Sequence, residues 1–167
     1  MLILRVFPSL HFVHAFLSYT RIRQRIIMEG KINLAIVEEN RLYRESLRSA
    51  LSQIADFNIM LEGDTVDDIV RVLVDQSIDL VLLSVDIEKS QGYNSLKQIR
   101  QLFPTMKILV LLDYPETCYY ENAISEGAND AISKFSSKRT IEHHLRSILK
   151  VNENLQNEIN IQSTTNN

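Results

Sequence analysis

Tryptophan is absent from the 167 residues; cysteine occurs once, proline three times and glycine four times. A single cysteine, Cys118, closes no internal disulfide and builds no cysteine-rich zinc site, which fits a reducing cytoplasm. So little glycine and proline excludes collagen-like and low-complexity chains. Glycine-rich phosphate turns are missing as well. With no G-x-G-x-x-G and no P-loop lysine pattern, nucleotide binding loses its usual anchors. Long apolar runs are also scarce. Pro8, Ser9, His11 and His14 interrupt the stretch from Val6 to Tyr19, which is shorter than the roughly 20 apolar residues of a membrane span. Phe16-Leu17-Ser18-Tyr19 is a poor cleavage site for a signal peptide.

What is present is the balance of a soluble globular chain, 45% hydrophobic and 23% charged. The net charge of -3 conceals an asymmetry: residues 1–27 hold Arg5, Arg21, Arg23 and Arg25 and no acid. The rest is therefore clearly acidic, which argues against nucleic acid as a partner, since that affinity rests on Lys and Arg neutralising phosphates. Residues 1–27 form a leader unlike the rest, readable as an upstream start ahead of Met28, as a weak membrane-associated segment or as an extra helix. Residues 28–150 form the expected folded body. Residues 151–167, rich in Asn, form a polar tail whose last six residues contain nothing apolar.

Within the body the hydrophobic period switches repeatedly. Ile32 to Val37, Phe57 to Leu61, Ile78 to Leu83, Lys107 to Leu112 and Ala131-Ile132 read as strands. Between them lie helical stripes: Leu42, Leu47, Ala50, Leu51 and Ile54; Ile69, Val72 and Leu73 behind a Thr65 cap; Leu96, Ile99 and Leu102 before Pro104; Pro115 to Glu126, stopped at Gly127; and Ile141, Leu145, Ile148 and Leu149 after a Ser137 cap. Five strands alternating with five helices predict an α/β fold, a doubly wound five-stranded parallel sheet of flavodoxin-like topology. Such sheets work at the carboxyl ends of their strands. Here that edge presents Glu38-Glu39, Ser84, Leu112-Asp113 and Lys134.

Ile36-Val37-Glu38-Glu39-Asn40-Arg41-Leu42-Tyr43-Arg44-Glu45-Ser46-Leu47 resembles the first strand, acidic pair and first helix of the receiver domain of two-component response regulators. Asp79 to Ser84, with Gly92 eight residues on, resembles the third strand and its following loop, and Gly127 to Asp130 with Lys134 resembles the fifth. The resemblance covers residues 31–150. It implies a phosphotransfer pocket: an acidic pair holding Mg²⁺, a nucleophilic aspartate, a switch hydroxyl, a switch aromatic and a lysine. Several of those positions depart from the pattern. Ser84 stands at the nucleophile position, Leu112 at the switch hydroxyl, Ile132 at the switch aromatic and the longer Glu38 and Glu39 at the acidic pair; only Lys134 is retained. Asp86 offers an alternative carboxylate two residues beyond the acceptor position.

The expectation is thus a degenerate receiver that is not an enzyme and signals through contacts with a sensor kinase or other signalling protein. No cofactor is expected; any Mg²⁺ would be a weak residual at Glu38 and Glu39. Two alternatives stand beside it: a receiver still phosphorylated, for example at Asp86, and the remnant of a truncated DNA-binding regulator. Lys134 is expected to pair with Glu38, Glu39 or Asp86. His143 and His144, adjacent on a helix, point apart and read as surface residues; Cys118, Tyr119 and Tyr120 read as packing for the fourth helix. Ile141, Leu145, Ile148, Asn152, Leu155 and Ile159 keep a heptad step that would extend the last helix into a homodimeric coil.

Overall fold

The computed structural model describes residues 31–149 apart from 74–76, 86–92 and 115. The leader, the tail, the heptad beyond Leu149, Asp86 and Gly92 lie outside the described residues. The elements are β1 (Ile32–Val37), α1 (Arg41–Ser52), β2 (Phe57–Gly63), α2 (Val66–Leu73), β3 (Leu80–Val85), α3 (Asn94–Leu102), β4 (Lys107–Leu112), α4 (Thr117–Ser125) and β5 (Asp130–Ser133). A last helix, α5, runs over 138–149.

All pairings are parallel, in the order β2-β1-β3-β4-β5. Because side chains alternate along a strand, each strand feeds two layers. On one side Ala35, Val37, Leu83, Val110 and Ala131 meet Ile69 of α2, Ile99 of α3 and Ala123 of α4. On the other, Leu34, Ile36, Leu82 and Leu111 meet Leu47 and Leu51 of α1 and Leu145 and Ile148 of α5. Burial on both faces explains why β3 and β4 read as continuous apolar runs. Each fully buried Leu or Ile contributes roughly 1.5–3 kcal/mol by leaving water.

The helix ends follow local chemistry. Asn40 caps α1, its side chain accepting the Tyr43 amide at 3.1 Å. Ser137 Oγ accepts the Thr140 amide at the start of α5. Gly127, at φ +103°, closes α4 in the left-handed region while the Ala128 amide returns to the Ala123 carbonyl.

The structure differs from the sequence reading at several points. β3 begins at Leu80, because Asp79 turns its carboxylate to the Asn33 amide at 2.8 Å instead of extending the strand. It continues to Val85, so Ser84 lies inside the strand, in register with Leu111. Leu42, Val72 and Leu102, read into the apolar stripes of α1, α2 and α3, are exposed. Among the described residues no helix is long and apolar enough to cross a membrane.

Candidate functional site

The carboxyl edge of the sheet brings four strands' side chains together. Glu38 follows β1 directly and is 1% exposed. One carboxylate oxygen, Oε1, accepts the Asn40 amide at 2.7 Å. The other accepts the Ser84 hydroxyl from β3 and the Lys134 ammonium at 3.0 Å. Its backbone carbonyl takes Arg44, which also pairs with Asp64. A carboxylate this deep costs several kcal/mol in lost hydration, and only such a full set of donors offsets that.

Lys134 follows β5, its amide donating to the Leu112 carbonyl at 2.8 Å. Its ammonium meets Glu38 and also Asp113, just past β4, at 3.1 Å. The Tyr43 ring of α1 lies 5.6 Å from the ammonium, and the Tyr43 hydroxyl donates to the Lys134 carbonyl at 2.9 Å. Burial works to lower the Lys134 pKa, but the hydrogen bonds to Glu38 and Asp113 and the charges of both outweigh it, leaving it above the ordinary lysine value. Burial, then the charges of Glu38 and Asp113, pushes the Tyr43 phenol up to about 12.

Both shifts have the same sign for stability. The folded state holds these protons more tightly than the unfolded chain does, so the contribution is complete below about pH 10 and is lost as pH rises through the folded values. Tyr43→Phe is therefore expected to flatten the fall in stability between about pH 10 and 12 relative to the parent. Denaturant unfolding at a series of alkaline pH values reads this; parallel declines in the two proteins would contradict it.

The structure places the predicted residues unevenly. Glu38, Ser84 and Lys134 converge as expected. Glu39 is exposed. Of the expected partners of Lys134, Glu38 pairs with it, Asp86 lies outside the described residues, and Asp113 adds a partner that was not expected. Leu112 is buried in the α2–α4 layer, whereas Ile132 packs in the opposite layer against α1 and α5. The β5 residues on the Leu112 face are Ala131 and Ser133, the register partner of Leu112, because one step along a strand reverses the side chain. Ile132 therefore does not stand beside Leu112. His144 is a partner rather than a free surface residue, its Nδ1 lying 2.6 Å from Asp130, while the Tyr120 hydroxyl donates to the same carboxylate at 3.2 Å. Of Cys118, Tyr119 and Tyr120, only Tyr119 packs against the core; Cys118 is exposed and Tyr120 largely so.

A magnesium ion takes near-octahedral oxygen ligands and is held through carboxylates. This donor set does not fit it. Ser84 offers a neutral hydroxyl, and both Glu38 oxygens already serve other donors, one of them an ammonium. No group of three His, Cys, Asp or Glu suited to a metal occurs among the described residues.

The response regulator receiver domain model matches residues 34–146. The chain belongs to that family. This receiver is 28% identical to the Fimbriae Z protein of Escherichia coli over 117 residues, covering 70% of the chain and 56% of that relative. To the transcriptional regulatory protein DegU of Brevibacillus brevis it is 23% identical, covering 65% of the chain and 46% of that relative. The chain thus spans about half the length of the curated relatives it matches. A response regulator from Thermotoga maritima superposes with a TM-score of 0.63 at 25% identity, over 72% of this chain and 98% of the other.

Proposed function

We propose that this receiver is a phosphorylation-independent signalling module that works through contacts with a protein partner, a sensor kinase or another component of a two-component relay, in the bacterial cytoplasm. It performs no chemistry of its own. The observation that carries this reading is the Ser84 hydroxyl bound to Glu38, where the family resemblance puts the nucleophilic carboxylate. A serine hydroxyl forms no acyl phosphate and leaves a metal one carboxylate short. Leu112, buried at 2% exposure, adds an apolar side chain where a phosphoryl group needs a donor. The similarity to a relative named as a transcriptional regulator supports a place in gene-regulatory signalling, and the acidic body supports protein rather than DNA as the surface it meets.

The test is intact mass after treatment with a small acyl-phosphate donor and Mg²⁺. The expected result is no phosphoryl adduct, which would add about 80 Da. A stoichiometric, hydroxylamine-labile adduct that disappears in Asp86→Ala would overturn the proposal and establish the phosphorylated alternative.

A further inference from the structure

Asp113 belongs to no position that the family resemblance supplies, yet it holds half of the Lys134 ammonium. It opens the turn between β4 and α4, and Lys134 opens the turn between β5 and α5. Its two carboxylate oxygens lie 3.1 and 3.2 Å from Lys134 Nζ, and Glu38 lies 3.0 Å away on the same nitrogen. The three groups differ in exposure: 0% for the Glu38 side chain, 12% for Lys134 and 37% for Asp113. Glu38 and Lys134 therefore form the buried base of the cluster, and Asp113 closes it from the solvent side.

We infer that Asp113 is an internal stand-in for an anionic ligand at this edge: its carboxylate engages the lysine and ties the β4–α4 turn to the β5–α5 turn in one fixed arrangement. The inference rests on the phosphorylation-independent reading and names the residue that does the fixing. Charge supports it. Two carboxylates surround one ammonium, so an entering anion meets a net negative site, while an entering divalent cation meets the ammonium itself. Position supports it too. β4 and β5 are register neighbours, with Leu112 opposite Ser133, and the Lys134 amide already bonds the Leu112 carbonyl. The Asp113–Lys134 contact continues that pairing one residue beyond the sheet, where backbone hydrogen bonding stops. Asp113 is a positioning residue; it acts through Lys134 on the two turns that lead into α4 and α5.

The experiment is hydrogen exchange by mass spectrometry on the full chain and its Asp113→Ala and Asp113→Asn variants. Loss of a charge-assisted contact is expected to speed exchange about tenfold in peptides spanning 112–118 and 133–138 of the alanine variant, less in the asparagine variant, with β3 peptides unchanged. If Asp113→Ala loosens the whole sheet, Asp113→Asn, which keeps the shape and an acceptor oxygen, decides the matter: its two turns must exchange faster than the parent's. Unchanged exchange in both turns, with no phosphoryl adduct on the parent protein, overturns this inference alone. An adduct on the parent overturns instead the reading it rests on.

Discussion

Lys134→Met is expected to lower stability by about 3–4 kcal/mol at neutral pH, the cost of leaving a buried charge without its partner. The reason lies with Glu38. Its side chain is fully buried, and after the substitution only the Ser84 hydroxyl and the Asn40 amide face its carboxylate oxygens. Methionine keeps the length and apolar volume of the lysine stem, so cavity formation adds little. A further result separates this account from simple loss of packing. The double variant Glu38→Gln with Lys134→Met is expected to recover a large part of the loss, because a neutral amide beside a thioether leaves no buried ion. Denaturant unfolding followed by circular dichroism measures the parent, both single variants and the double variant. Additive losses in the double variant would contradict the coupling.

A second large effect is expected far from the site. Arg100, in the last turn of α3, donates through its fork to the carbonyls of Gly127 at 2.6 Å, Pro104 at 2.7 Å and Met106 at 2.8 Å. These carbonyls belong to the α3–β4 and α4–β5 turns, which Arg100 therefore staples together at the amino ends of β4 and β5. Burial lowers the guanidinium pKa from its ordinary value, but the group remains charged. Arg100→Ala leaves the carbonyls without that donor and is expected to cost about 2 kcal/mol. Arg100→Lys restores the charge but not the planar fork, so it is expected to recover less than half. Arg41→Ala serves as the contrast: its ion pair with Glu45 is largely in water, so its loss is expected to leave stability essentially unchanged. Equal losses at Arg41 and Arg100 would sink the argument that geometry rather than charge decides.

The alternation of strands and helices was legible in the residues, and with it the doubly wound sheet. Lys107 to Leu112 is read to the residue, and Gly127 and Ser137 stand at element ends as read. These are local signals: apolar spacing of two or of three to four, and turn residues whose side chains or φ angles suit one place. The edge of the sheet was legible too, so Glu38, Ser84 and Lys134 were identified as neighbours before any coordinates. Asp113 was visible at that edge but had no role, because its neighbours in sequence reveal nothing about an ammonium 21 residues away.

The amino-acid sequence alone determined the alternation of strands and helices and the residues that end each strand, since each depends on residue type and on spacing within one strand or helix. Only the tertiary structure decided who pairs with whom. That Lys134 meets Asp113, that Ser133 and not Ile132 lies opposite Leu112, and that His144 finds Asp130 all depend on register between strands and on how far a side chain reaches from the next element. A one-residue step reverses a strand's faces, and a few ångströms separate a hydrogen bond from solvent. Such distances are set by the packing of the whole sheet against its two helical layers, not by the composition of any single segment.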